Sequence, residues 1–250
     1  MTIDLDQRLL LQICRCPNIA KARADHSNPC ASVVGIQVEL GDKFQLPEPW
    51  NGDIVNAKLL FVSSNPSIDT NEAYPTNSWS QKKILDFFQN RFHPDRNWTK
   101  EARRVLSKDE QTYVERRVPY WDETKSMAKD AFGRFARPGF DYALTEIVHC
   151  KSKNRQGVKS AAKTCFDLWM NPLISLSDAR VIIVLGGEAN QMMSEFLELD
   201  GKIKFHRRVT LGSRERIVLF LPAPGSNKTR KISKVFSDSE RNEIWKALNF

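Results

Sequence analysis

Two sets of residues in this chain have types and spacing suited to chemistry. The first is Asn65, in the turn Ser63-Ser64-Asn65-Pro66-Ser67 that follows the apolar run LLFV. Such a run ending in a polar turn reads as a buried parallel-type strand. In an open α/β sheet, ligands sit just beyond the carboxyl ends of the strands. Asn65 is therefore placed where a reaction would occur, although an Asn-Pro pair also marks ordinary turns. The second set is the five cysteines, Cys14, Cys16, Cys30, Cys150 and Cys165. Three lie near the N-terminus and two lie mid-chain, a split that suggests a site pinning the N-terminal arm to the core. The odd number and the chain's size argue against a disulfide framework. Unconnected buried thiols are the plainer alternative.

The composition bounds the partners. The 250 residues make one large domain or two small ones, and 41% are hydrophobic. The formal charge is +8 and the pI about 9.3, so nucleic acid is the partner to test first. No apolar run approaches the roughly 20 residues of a membrane span. The start MTIDLDQRLLLQIC is acidic and lacks a small-residue cleavage site, which predicts no signal peptide. The expectation is a cytoplasmic monomer without a membrane partner, in a bacterial or phage-host cytosol.

The elements that must position these residues follow from periodicity. A helix is predicted over 3–13, with Leu5, Leu9 and Ile13 on one face, and Pro17 can open a second short helix as its first residue. Residues 24–57 are loop-rich, with a strand at Val33–Val38. After the Asn65 turn, Ser78 is a candidate N-cap for a helix through Phe92. Residues 93–138 form a polar insertion with helices expected around 99–116 and 121–135. Its arginines suit solvated faces or a lid against DNA. A second strand is predicted at Asp141–His149, a helix over 160–175, a third strand at Arg180–Leu185 and a helix over 188–198. Paired strands at 203–209 and 216–221, a Pro/Gly-rich basic loop and a helix over 239–248 complete the chain. Strands alternating with helices predict an α/β fold: a mostly parallel sheet with helices on both faces, in one domain over 1–250.

Three strand ends carry polar loops, SSNPS, TEIVHCKSKNR and LPAPGSNKTRK. This ordered set resembles the uracil-DNA glycosylase superfamily. SSNPS is similar to the Gly-x-Asn-Pro-Gly water-binding motif of the mismatch-specific and single-strand-selective families, with Ser63 and Ser67 in place of both glycines. TEIVHCKSKNR with Cys165 looks like the Thr-Asn-x-x-Lys-Cys segment of the iron–sulfur families, and VIIVLGGEA like the strand and helix after their second cysteine. LPAPGSNKTRK is similar to the mismatch-specific Leu-Pro-x-Pro-Ser-Gly-x-Ser-Arg loop. The resemblance covers most of residues 14–23, 57–79 and 141–230 and leaves out the insertion. It implies a three-layer sandwich around a four-stranded sheet, with a metal-pinned N-terminal arm over 1–56.

For the cysteines the resemblance implies one [4Fe–4S] cluster. Cys150 and Cys165 match the mid-chain ligands and Cys16 the second N-terminal one. The family's first ligand falls at Ile13, so Cys14 or Cys30 must replace it. Four thiolates suit a cubane cluster or a structural zinc equally.

For the site, the resemblance makes Asn65 the residue whose carboxamide holds a water in line for attack on an N-glycosidic bond, beside a flipped nucleotide. Asp69 is either an assistant or a turn residue. Where the family reads its base with an Asn, this chain has Glu146. A carboxylate only accepts, so it repels uracil O4 and welcomes an exocyclic amino group such as cytosine N4; a protonated Glu146 would donate once and mimic an amide. Excising plain cytosine would destroy the host genome, so a modified cytosine is the expected substrate, hydroxymethylated or glucosylated as in some phages. The small Ser63, Ser64 and Ser67, of which Ser64 and Ser67 are expected at the base, and the long insertion leave room for a bulky group. Tyr74 falls where the family stacks an aromatic on the base, with Trp79 as alternate; either suits the core equally. Ser226, Asn227, Lys228, Arg230 and Lys231 are expected at DNA phosphates. Ala223 stands where the iron–sulfur families carry a His. The readings in play are a modified-base glycosylase, a uracil repair enzyme, and a non-catalytic DNA-binding module on the same fold.

Overall fold

The computed structural model describes residues 4–199, 204–226 and 228–250. The chain begins with α1 (Leu5–Cys14), α2 (Asn18–Ala24) and α3 (Ala31–Gly35), then β1 (Leu59–Ser63) and α4 (Gln81–Gln89). The insertion holds a small ribbon, β2 (Thr99–Lys100) with β3 (Arg104–Val105), and α5 (Pro119–Phe132). There follow β4 (Tyr142–Glu146), α6 (Val158–Leu176), β5 (Val181–Leu185), α7 (Gly187–Phe196), β6 (Phe205–Leu211), β7 (Arg214–Leu221), α8 (Ile232–Val235) and α9 (Asp238–Asn249).

The main sheet has the order β4-β1-β5-β7-β6. Its first four strands are parallel, and β6 adds an antiparallel edge. The expected four parallel strands are present. The fifth arises because Gly212 and Ser213 both take left-handed backbone angles and close a two-residue hairpin between β6 and β7. Every residue of β1, β4 and β5 is buried, as strands covered on both faces must be. Side chains alternate between two cores. Leu60, Val62, Ala143 and Ile182 join α1, α3, α4 and α6 on one face. Leu59, Phe61, Tyr142, Leu144 and Ile183 join α5 and α9 on the other. By that alternation Ser63 and Glu146, paired across β1 and β4, lean toward the α5 layer.

Three local expectations are corrected. Val33 and Val34 lie in helix α3 rather than a strand. Asn28 starts it by accepting from the Cys30 amide at 2.9 Å, and packing of the two valines inward overrides their β preference. Residues 99–116 form a ribbon and turns, not a helix, because Glu101 and Ala102 take left-handed angles and reverse the chain. Ser80, not Ser78, caps α4 through the Lys83 amide. The predicted 121–135 helix is α5, with Pro119 in its first turn and Gly133 ending it at φ +67°. Position 203 of the predicted 203–209 strand and residue 3 of the first helix lie outside the described residues.

The arm is tied to the body at Gly157, which precedes α6 with φ +73°; a Cβ there would stand 2.3 Å from the Val33 nitrogen of α3. Gly157→Ala is therefore expected to lower stability by about 2 kcal/mol or more, through backbone strain and steric conflict together. A denaturant titration reading the midpoint against wild type checks this.

Candidate active site

The site is built at the carboxyl ends of β1 and β4. The backbone of residues 147–152 runs beside the turn after β1: Ile147 and Val148 donate to the Ser63 and Ser64 carbonyls at 2.8 and 2.9 Å, and Ser152 donates to Pro66 O at 3.0 Å. This fixes Asn65 at the edge of the sheet, half-buried, its Nδ2 on Pro66 O at 2.9 Å and its Oδ1 accepting from Ser64 Oγ at 3.3 Å. Oδ1 keeps lone-pair capacity for a water. Ser67 is exposed and bridges to Ser152. Asp69 accepts from the Asn71 amide at 2.9 Å, the geometry of a turn residue.

Glu146 ends β4 and is 3% exposed. Its Oε1 accepts from Ser63 Oγ at 3.3 Å, while Oε2 is buried and unpartnered. Beside it lies a group of buried charges that no sequence motif announced. Arg91, just after α4, pairs with Glu72 and with Glu48 at 3.3 Å. Lys151 pairs with Glu72 at 3.4 Å and with Glu48 at 4.0 Å. Tyr74 and Asn51 also donate to Glu48. Arg91 and Lys151, with hydrogen bonds from Asn51 and Tyr74, hold Glu48 below the usual carboxyl range against the opposing effect of burial. Burial first, then the Glu48 charge, pushes Glu146 well above that range. Three carboxyls thus share two cations, and Glu146 is the one left neutral. A neutral carboxyl donates as well as accepts, so simple repulsion of uracil O4 does not operate here.

Burial also sets the neighbouring imidazole. His149 is pushed down to about 4 by desolvation and is neutral, its Nδ1–H donating to Glu48 O at 2.8 Å.

Tyr74 is placed in the core rather than at an open stacking face. It is 4% exposed, packs edge-on against Phe87 and Phe88, and carries Lys151 Nζ 3.5 Å from its ring centroid. Trp79 packs against Phe87 and Trp98.

The basic loop after β7 divides its residues. Lys228 and Lys231 are exposed and free to meet phosphates. Arg230 instead turns inward: its Nη1 donates to the Ala223, Ser226 and Lys228 carbonyls and to Ser226 Oγ, and its Nη2 pairs with Glu123 of α5 at 2.6 Å. Arg230 and Ser226 hold the loop's shape. Asn227 lies outside the described residues.

Of the cysteines, Cys16, Cys30, Cys150 and Cys165 line one apolar cavity of about 10 Å³ between the arm and α6. Cys14 is buried elsewhere, within electrostatic reach of Glu48 and Tyr74. Among the described residues no three His, Cys, Asp or Glu side chains already stand in ligating geometry. The donor chemistry nevertheless fits a thiophilic metal. The four thiols interact electrostatically, and the His149 amide donates to Cys165 Sγ at 3.4 Å. Burial pushes Cys150 well up and Cys165 up to about 12, so a cation is what would convert them to thiolates.

The roomier cavities lie elsewhere, one of about 510 Å³ beside Arg23, His26, Asn77 and Ser78 and one of about 370 Å³ at the opposite pole of the sheet. No helix among the described residues is long and apolar enough to cross a membrane.

With this geometry in hand, comparison with protein families gives one match. The model of the uracil DNA glycosylase superfamily covers residues 49–249. The chain belongs to the uracil-DNA glycosylase superfamily. Members of this superfamily are DNA glycosylases. Asn65, Glu146, Cys150, Cys165 and the basic loop all fall inside the matched region, whereas Cys14, Cys16, Cys30 and Glu48 precede it. No curated protein matches the chain.

A raised carboxyl makes a signed prediction. Glu146 binds its proton more tightly when folded, so its stabilising contribution is present below the ordinary carboxyl range and is lost as pH climbs through the folded value. Glu146→Gln removes that loss. As pH rises above the ordinary carboxyl range toward the folded value, the variant should gain thermal stability relative to wild type. A difference in melting temperature that does not change with pH would mean that Glu146 is ionised in the fold.

Proposed function

We propose that this protein is a monofunctional DNA glycosylase that flips out a modified pyrimidine, a hydroxymethylated or glucosylated cytosine of phage DNA, and releases it by water attack, leaving an abasic site. Phage defence is the role consistent with that substrate. The observation that carries the reading is the buried, neutral Glu146, with one open oxygen, beside the Asn65 turn.

Uracil departs as a tolerable anion; cytosine is a poorer leaving group and gains more from a proton. In this reading Glu146 Oε2–H passes its proton to cytosine N3 as the N1–C1′ bond breaks, and the base leaves neutral. Arg91 and Lys151, whose charges favour ionised Glu146, stabilise the carboxylate that remains. Asn65 holds the water that captures the cationic sugar, and that water's proton is lost to solvent. Lys228 and Lys231 hold the phosphates and steer binding. The absence of a His at Ala223 suits a mechanism in which the acid lies on β4.

A second reading, uracil excision, is favoured by the same neutral carboxyl, because a protonated Glu146 presents the donor that uracil O4 needs. A panel of duplexes carrying uracil, cytosine, hydroxymethylcytosine and glucosylated hydroxymethylcytosine separates the readings. Release from the modified cytosines is expected. Asn65→Ala should lower the rate about a hundredfold or more while leaving DNA affinity nearly intact. Release from uracil alone establishes the second reading, and binding without any release a non-catalytic module.

Cys16, Cys30, Cys150 and Cys165 would hold a [4Fe–4S] cluster, or a single zinc, whose charge turns the four thiols into ligands that clamp the arm to α6. The thiophilic donor set supports both metals. Protein prepared anaerobically should contain iron with sulfide, or else stoichiometric zinc. Cys30→Ser should lose it and Cys14→Ser should keep it. Retention by Cys30→Ser would remove Cys30 from the ligand set.

A further inference from the structure

The insertion over 93–138 falls outside the motifs, yet it covers the base-reading residue. We propose that Tyr120, in the first turn of α5, is a second base-reading group, and that with Glu146 it selects pyrimidines carrying a 4-amino group; this rests on the glycosylase reading above. Ser63 and Glu146 lean toward the α5 layer by the alternation of their strands. Tyr120 packs against that same core. Its hydroxyl is buried, approaches Ser63 and feels the Glu146 charge, while Glu146 Oε2 is buried and without a hydrogen-bond partner. An orphaned carboxyl oxygen beside a phenol with open lone pairs is a cost that a bound ligand removes.

The direction of the hydrogen bonds decides what that ligand is. In the proposed state Ser63 Oγ donates to Glu146 Oε1, and the proton of neutral Glu146 sits on Oε2. Ser63 then has only lone pairs to offer Tyr120, so the phenol hydrogen turns to Ser63 and the phenol lone pairs stay open. The site therefore offers one donor, Glu146 Oε2–H, and one acceptor, Tyr120 Oη. Cytosine offers the complement, an acceptor at N3 and a donor at N4. Uracil held in that same pose, with N3 at Glu146 and O4 at Tyr120, meets donor with donor and acceptor with acceptor, so the donor that Glu146 offers does not reach O4. Selection for the amino group is independent of what the 5-position carries.

The same helix holds the basic loop. Glu123, three residues on, accepts from the Gly225 amide at 3.0 Å and pairs with Arg230. Positions three apart lie on one helix face. One turn of α5 thus joins the base-reading atom to the loop that meets the DNA.

Tyr120→Phe deletes one oxygen and tests this. Release of the best modified cytosine should fall about tenfold to a hundredfold, and its preference over uracil should shrink by a similar factor. The melting temperature and the affinity for abasic product duplex should match wild type. Equal losses on every base, or unchanged rates throughout, would overturn the assignment. If wild type releases no base, the glycosylase reading fails by itself, and the comparison moves to binding of duplexes with a mispaired cytosine or uracil. There Tyr120→Phe must still narrow the preference for cytosine, and an unchanged preference overturns the proposal.

Discussion

Two cations shared by three buried carboxyls are the constraint on which the site depends. Glu48 comes from the segment before β1, Glu72 from the loop after the Asn65 turn, Glu146 from β4, Arg91 from the end of α4 and Lys151 from the loop after β4. Each ion pair joins residues at least 19 positions apart, so the ion pairs are a long-range fastening. Removing one partner of such a pair typically costs about 3–5 kcal/mol, because the other charge is left buried. Arg91 is held further by aromatic faces, its guanidinium 4.7 Å from the Phe87 ring centroid and 4.8 Å from that of Trp121. Trp121 follows Tyr120, so the packing that steadies Arg91 also sets the start of α5.

The strand pleat distributes the remaining tasks. Residues that face the α1–α4 side fill an apolar core without polar atoms to spare, apart from Thr145, whose hydroxyl donates to Pro49 O at 2.7 Å. On the other side the same pleat presents Ser63 and Glu146 where the strands end and α5 begins. A one-residue shift in the register of β4 would exchange Glu146 for Thr145 at that place. The Asn51–Leu144 bridge, with bonds of 2.8 and 3.1 Å, guards that register from the β4 edge.

Much of this was legible from local pattern. LLFV, YALTE and VIIVL are short apolar-rich runs bounded by turn residues, and each is a strand. The polar ends of the first two pointed to Asn65 and Glu146, the loop after β7 pointed to DNA, and the split of the cysteines pointed to a junction of arm and core. The buried charges were not legible. Glu48, Glu72, Arg91 and Lys151 carry no local signal, because nothing in the neighbouring sequence distinguishes a charge that will be buried from one that will not; only the partner makes burial tolerable. The inward turn of Arg230 was likewise not legible, because it depends on Glu123, more than a hundred residues earlier. Tyr120 had no signal beyond lying one residue after the proline that opens α5.

The thiol cavity and the carboxyl site are not independent. Cys150 lies between His149, whose amide and carbonyl reach Cys165 and Glu48, and Lys151, whose ammonium faces Glu48 and Glu72. Whatever fixes Cys150 fixes both neighbours, since a one-residue stretch leaves no slack between them. On the other side of the junction, Cys14 ends α1 within electrostatic reach of Glu48, and Cys16, two residues on, lines the thiol cavity. A metal at the four thiols would therefore act on Glu146 at a distance. It would hold Lys151 and Glu48 in place, and they help decide whether the Glu146 proton stays or leaves. In such an arrangement the cysteines contribute to the chemistry by positioning charge, without any electron having to move.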